Sequence, residues 1–549
     1  MREEKETDTN DSDSDSDSDA DMITHLPDHI LDNILLLLPA ADAAVMATVS
    51  KYWLNLWNSL ITVHFSFNET TQGLQSCLPT LLPCVKDSLN FLGSSDENLI
   101  IHSFVFNMHF AKGRRQFHNR HNMLYISKIT TCLDDWISLV LQNDVKHLKI
   151  RFSNLTYHVP PDIFCGTCFL TVHLEDCYFT GGPSFCTRDS SFNCLTELVL
   201  VNVETSSCIV HKILSDSPLL EKVVLRNLTI MDSLMVCNLP RLSYVEVVEQ
   251  ALEHRIEIRA PNLSTLILQL DGSIEGFFSD RFTGGGNFGS KKFVFEHAML
   301  ETLKLCSNSC SKIKVACSNL RTMSLSNKGS ANPLHVEVDA PKLEQLDYEG
   351  YVIPSFYGVT SLLKPTVTLK LCLGGCPALD VATRSCIEMF NQPTVHLTYF
   401  YRGFFRAQKI LWPGQVQQTE VTSPPPKVKC LTWSLKFSTP SYAYQLLLDG
   451  SLCTCHPSVL RVKALASNWE FMEFLCHELL NREENPSCCK DEPEFRCWRH
   501  YLKSVDIQIQ SQSETEKPET FRGKALKKTL NHISTSEEVQ FNMNWSRDL

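Results

Sequence analysis

Thiols, imidazoles, carboxylates and phosphate-cradling glycines carry most protein chemistry, and this chain holds several of them at close spacing. Near one end, Cys453, Cys455, His456, Cys476, His477, Cys488, Cys489, Cys497 and His500 are soft ligands of the kind that hold zinc, but they contain no tight paired C-x-x-C framework. Cys165-Gly166-Thr167-Cys168 is a C-x-x-C, the arrangement of a thiol redox centre. It stands directly before Phe169 and a strand-like apolar run, which suits loop or buried thiols better. Gly284-Gly285-Gly286-Asn287-Phe288-Gly289 satisfies G-x-G-x-x-G, yet polar, Gly-containing sequence precedes it where a dinucleotide site needs a strand, so it reads as a flexible insertion. No paired-carboxylate, nucleophile–base or metal-hydrolase motif rises above chance spacing. The reading is a non-catalytic chain with no cofactor and no resident metal; a metal or redox protein built on the C-terminal Cys/His cluster is an alternative.

The elements that position side chains must come from 549 residues that are 43% hydrophobic and 20% charged, enough for a large core. No apolar run approaches the roughly 18 residues of a membrane span, and the acidic start lacks the pattern of a signal peptide. An intracellular chain is expected, cytoplasmic and/or nuclear, with its 23 Cys mostly reduced. Of the net charge of −12, residues 1–21 carry −8, leaving the remainder close to neutral; nothing there argues for nucleic acid or a membrane surface. Residues 1–21 should be a disordered acidic leader, in which Ser12, Ser14, Ser16 and Ser18 each have Asp at +1 and +3, a pattern that resembles the substrates of acidophilic kinases.

Residues 22–61 change texture. Ile30, Leu31, Ile34, Leu35 and Leu38 form one helical stripe, Pro39 ends it, and Val45, Val49, Trp53, Leu56, Trp57 and Leu60 recur at helical spacing beyond. Three short helices in about 40 residues bury little apolar surface, so such a unit gains from docking on a partner. The segment resembles an F-box: Leu26-Pro27, Ile30-Leu31, Ile34, Leu38-Pro39, Asp42, Val49-Ser50-Lys51 and Trp53 fall at its positions, while Tyr52 and Leu54 stand where many relatives are basic. The resemblance implies docking on the SKP-type adaptor of SCF ubiquitin ligases, and through it on a cullin scaffold. The adaptor-binding candidates are Leu26, Pro27, Ile30, Ile34, Leu38, Pro39, Val49 and Trp53.

Residues 62–141 read as a mixed connecting segment with a helix near 132–141. A repeat follows. The template apolar-x-x-apolar-x-apolar starts at Val145, Phe169, Leu195, Leu220, Leu242, Leu263, Leu300, Leu320 and Leu343, with all intervals but the 37 residues before Leu300 inside the leucine-rich-repeat period of about 20–29. Each hexad predicts a short strand that buries one face only when neighbours stack. The Asn or Cys position after the strand is irregular: Cys177 and Asn308 fit, whereas Asn202 and Asn227 fall one residue early. Alternating pairs at Ile256/Ile258, Ile313/Val315 and Val336/Val338 predict extended backbone on the return leg, unlike the helix-like run at 208–218.

This repeat style resembles plant F-box proteins that combine leucine-rich repeats with a C-terminal FBD segment. Cys497, Leu502-Lys503, Val505, Ile507 and Phe521-Arg522-Gly523 are similar to an FBD core that is divergent here. The expected fold is α+β: a three-helix F-box, an irregular repeat solenoid over 142–420 with a parallel sheet on its concave side and an insertion near 271–297, and C-terminal repeats with a small α/β FBD-like segment over 421–549. In each hexad the third and fifth residues and the one after should face outward. The target-binding candidates read that way are His147, Lys149 and Arg151, basic; Lys222, Arg226 and Tyr244; and Gln345, Asp347 and Glu349, acidic. The resemblance implies a substrate-recognition subunit of an SCF-type ligase that binds an unknown target protein, with a small-ligand, hormone-like sensor as an alternative on the same face.

Overall fold

The structure is a computed structural model. It describes single residues within 30–53 and the elements and turns between 61 and 546 named below; residues 1–29, 70–100, 111–126, 161–168, 180–191, 280–291, 400–424, 481–496 and 522–537 are among those outside the described residues. The chain divides into two compact units, Met1–Leu155 with Thr167–Phe169, and Thr156–Gly166 with Leu170–Leu549.

In the first unit, β1 (Ile61–Glu69), β2 (Ile101–Phe110) and β3 (His147–Ser153) pair in parallel. Their register sets Val63 beside Phe104 beside Leu148, and Phe65 beside Phe106 beside Ile150. Residues 130–138 are helical and lay Trp136 against Phe106, with ring centroids 6.1 Å apart. The segment expected to be a mere connection therefore carries two further strands of the same kind.

In the second unit the strands are β4 (Tyr157–His158), β5 (Thr171–Glu175), β6 (Cys177–Tyr178), β7 (Glu197–Val201), β8 (Lys222–Arg226), β9 (Ser233–Cys237), β10 (Tyr244–Glu249), β11 (Arg255–Arg259), β12 (Thr265–Leu270), β13 (Glu275–Ser279), β14 (Lys292–Glu296), β15 (Thr302–Ser307), β16 (Lys312–Ala316), β17 (Thr322–Asn327), β18 (His335–Asp339), β19 (Gln345–Gly350) and β20 (Ser355–Tyr357). Then come β21 (Thr366–Leu373), β22 (Thr394–Tyr399), β23 (Lys427–Leu435), β24 (His456–Ala464), β25 (Leu502–Gln510), β26 (Glu519–Phe521) and β27 (Glu538–Trp545). The described helices are few: α1 (Ser207–Ser215), α2 (Val381–Glu388), α3 (Tyr444–Thr454), α4 (Trp469–Leu480) and α5 (Trp498–Tyr501). None among the described residues is long and apolar enough to cross a membrane.

The hexads form one ladder. β5, β7, β8, β10, β12, β15, β17, β19, β21, β22, β23 and β24 pair in parallel in that order. The middle template position runs in register as Val172, Leu198, Val223, Val245, Leu266, Leu303, Met323 and Leu346, every one buried. Each fully buried Val or Leu stabilises by about 1.5–3 kcal/mol over exposure, so the stack carries the unit. A second parallel sheet, β9-β11-β13-β14-β16-β18-β20, is the return leg expected from the alternating pairs. The result is a β-solenoid-like repeat region with few helices.

Two irregularities have physical causes. Asp176, Asn202 and Asn227 follow β5, β7 and β8 with φ of 55°, 52° and 53°. Asn and Asp tolerate this left-handed backbone better than other residues with a side-chain branch. Asn227 Nδ2 also donates to Asn202 Oδ1 at 3.0 Å, so the asparagines that fall one residue early are themselves the turn residues and stack from repeat to repeat. The long interval before Leu300 contains two strands of the second sheet, β13 and β14, while β12 and β15 pair directly in the first. The FBD-like end closes the ladder antiparallel: β27 lies between β24 and β25, and β26 pairs with β25.

Candidate functional site

Within the F-box-like segment, Ile30, Leu31, Ile34, Met46, Tyr52 and Trp53 are helical, and Trp53 N–H donates to Ser50 Oγ at 3.2 Å, an N-cap at the start of the last helical stretch. Leu31 and Trp53 are buried, Ile34 is half-buried, and Ile30, Val49 and Tyr52 are exposed at 37%, 63% and 38%. Trp53, expected on the docking surface, is 1% exposed. Tyr52, a departure from the family pattern, is exposed beside it. Leu26, Pro27, Leu38 and Pro39 lie outside the described residues, as do Ser12, Ser14, Ser16 and Ser18.

On the first sheet, the residues expected to face outward are partly sealed. Val199, Val224 and Glu246 are buried, correcting the expectation for the fifth hexad position in β7, β8 and β10. The cause is a polar net across those strands. Lys222 Nζ meets Glu197 Oε1 at 2.8 Å and sits 5.8 Å from the Tyr244 ring centroid, Arg226 Nη2 meets Glu246 Oε1 at 2.7 Å, and Tyr244 donates to Glu246 Oε2 at 2.9 Å. Burial, then the Glu246 carboxylate, hold the Tyr244 phenol above its ordinary pKa. The charges of Lys222 and Arg226 are thus paired with carboxylates of neighbouring strands on a solvent-facing part of the sheet, their side chains 45% and 46% exposed. Farther along, Thr322 donates to Thr302 across strands at 3.0 Å and Gln345 Nε2 donates to Asp347 Oδ2 at 2.6 Å, while Gln345 and Lys304 are exposed. Glu349 is half-buried. His147, Lys149 and Arg151 stand on β3 in the first unit, Arg151 exposed and the other two half-buried.

Among the described residues the C-terminal cysteines do not converge as a three-ligand metal set. Cys455 and Cys476 are buried, and burial pushes both thiols up to about 12. His456 is buried and stacked on Trp545 at 3.9 Å with the rings 4° apart; burial, aided by the Arg384 and Lys427 charges, lowers its pKa to about 3. Among the described residues no three His, Cys, Asp or Glu side chains converge as a metal site would require. Cys488, Cys489, Cys165, Cys168 and the run 284–289 lie outside the described residues.

The residues that sequence reading missed are those of β1 and β2. Leu60-x-x-Val63-x-Phe65 and Ile101-x-x-Phe104-x-Phe106 satisfy the same template, but lie 41 and 44 residues from the next start, beyond the repeat period.

Known proteins match in the same places. Residues 23–64 match the F-box domain model, and residues 133–276 match the model described as the repeats of FBD-associated F-box protein At5g56370. The F-box/FBD/LRR-repeat protein At1g13570 of Arabidopsis thaliana is 24% identical over 259 residues, 47% of this chain and 50% of its own. The putative F-box protein At1g49610 of Arabidopsis thaliana is 25% identical over 234 residues, 42% and 49% of the two. The matched stretch spans about half the length of each of these curated relatives. With an F-box model matching at the start, a model of FBD-associated repeats behind it and an F-box/FBD/LRR-repeat relative, the chain is similar to plant F-box proteins that carry leucine-rich repeats and an FBD segment.

Proposed function

We propose that the chain is the substrate-recognition subunit of an SCF-type cullin-RING ubiquitin ligase. Residues 22–61 hold the SKP-type adaptor, and through it the cullin, while the repeats over 142–420 bind a protein to be ubiquitinated. The chain makes and breaks no bond itself; it acts by raising the target's effective concentration beside the catalytic partner.

The observation that carries this reading is the exposure of Ile30, Val49 and Tyr52 on a segment that also buries Leu31 and Trp53. They are three of the seven large hydrophobic side chains exposed among the described residues, concentrated within about 20 positions. Exposed large apolar side chains gathered in one short segment are what a docking surface requires. Truncating a central apolar anchor typically costs about 2 kcal/mol or more, roughly 30-fold in affinity.

The test is calorimetric titration of the purified full chain with an SKP-type adaptor. Ile30→Asp with Val49→Asp should weaken binding at least that far while circular dichroism is unchanged. An adaptor that binds the double variant as tightly as the parent, or never binds the parent, refutes the proposal.

A further inference from the structure

Of the C-terminal thiols, two are brought together by packing unrelated to the F-box. Cys453 lies on the last turn of α3 and Cys497 immediately precedes α5. Three contacts fix α5 on α3: Trp498 Nε1 donates to Asp449 Oδ1 at 2.7 Å, Arg499 Nη1 donates to the same oxygen at 3.1 Å, and the Trp498 backbone N–H points at the Cys453 sulfur. Asp449 and Cys453 are four residues apart on α3 and so share one face. Arg499 also donates to Glu478 of α4 at 3.0 Å and lies 4.4 Å from the Trp498 ring centroid, so α5 is held from two sides.

The Trp498 nitrogen is bonded to the Cys497 carbonyl carbon, about 2.4 Å from the Cys497 Cα by standard bond lengths. An N–H···S contact therefore leaves that Cα roughly 4–6 Å from the Cys453 sulfur, a range from which side-chain rotation closes an S–S bond. Cys453 is exposed as a residue although its sulfur is turned inward toward α5, and Cys497 is half-exposed, whereas Cys455 and Cys476 nearby are buried.

We propose that Cys453 and Cys497 form a reversible disulfide site, closed by exchange with a low-molecular-weight disulfide such as oxidised glutathione. The Cys497 thiolate attacks one sulfur of the small disulfide, forming a mixed disulfide and expelling one thiolate. Cys453 gives its proton to solvent base and attacks the Cys497 sulfur, expelling the second. The protein loses two hydrogens and the small disulfide becomes two thiols. This order follows from the Cys453 thiol, which burial of its sulfur pushes up to about 11 and makes the slower nucleophile. The bond ties α3 to α5, which leads directly into β25 at Leu502.

The experiment equilibrates the full chain in glutathione buffers of increasing oxidised fraction, quenches by alkylation and maps peptides by mass spectrometry. The alkylated Cys453 and Cys497 peptides should vanish together with one midpoint, replaced by a single linked peptide that reductant reverses. Cys453→Ser and Cys497→Ser should each leave the other thiol as a glutathione adduct. Independent alkylation of both cysteines in fully oxidised buffer, or a linked peptide joining either to a different cysteine, overturns the proposal. So does an adduct on one of them that never resolves in the parent chain.

Discussion

Glu249, the last residue of β10, is 1% exposed, and the Leu228 backbone N–H donates to its Oε1. Burial raises its pKa from 4.5 to about 7, the single N–H opposing that only in part. At about 1.36 kcal/mol per pH unit of displacement, carrying the charged form inside the folded chain costs about 3 kcal/mol. The sign follows from linkage. Below 4.5 the group is protonated in both states and contributes nothing; between 4.5 and 7 only the unfolded chain ionises, so stability falls as pH rises; above 7 the full penalty applies. Glu249→Gln keeps the shape and an oxygen for Leu228 but carries no charge. It should match the parent near pH 4.5 and be about 3 kcal/mol more stable at pH 8. At about 2.1 cal/mol/K per residue, that is roughly 4 °C in the melting of the second unit. The measurement is paired thermal and urea unfolding of parent and variant from pH 5 to 8. An offset that stays constant across that range, or a variant less stable than the parent at pH 8, refutes the reasoning.

Three further outcomes are expected. His456 is held neutral down to about pH 3 against an ordinary 6.5, so its contribution is intact above 6.5 and lost as pH falls below it, by about 1.36 kcal/mol per pH unit; His456→Phe should flatten the acid limb of a urea-midpoint profile. Leu303→Ala, at a fully buried position between Leu266 and Met323, should cost about 2–5 kcal/mol in equilibrium unfolding with an unchanged m-value. Asn227→Ala should be less stable than Asn227→Gly by about 1–2 kcal/mol, since both lose the Asn202 bond and only alanine suffers at φ 53°; equal unfolding midpoints would count against the left-handed turn as the reason for Asn there.

The repeat ladder was legible because period-two burial leaves a mark on sequence: Leu198, Leu266 and Leu346 fall in the registered column their spacing predicts. The return strands β11, β16 and β18 were legible for the same reason, and the helix α1 through the helical spacing of Ile209, Val210, Ile213 and Leu214. β1 and β2 obey the template yet escaped, because a rhythm read at 20–29 residues is blind to longer loops. The docking residues were half legible. Helical spacing groups Ile30, Val49 and Trp53 but cannot say which of them the small core will claim, and Trp53 went inward. Nor does a hexad register reveal that Lys222 and Arg226 find carboxylates on neighbouring strands about 20 residues away, since that pairing depends on which strands become adjacent. The approach of Cys497 to Cys453 depends in the same way on the docking of α5 on α3.

The place of β27 between β24 and β25 sets a clock on biosynthesis. Most neighbouring hexads in the ladder are covered once some 20–26 more residues have been translated, but the outer rim of β24, finished at Ala464, waits for Glu538–Trp545. At about 5–20 residues per second a ribosome needs roughly 4–15 s to deliver them. Through that interval a bare rim of amides and carbonyls is open to any other nascent strand, so ribosomal pausing between 465 and 537 should lower the soluble yield more than a pause of equal length earlier in the message.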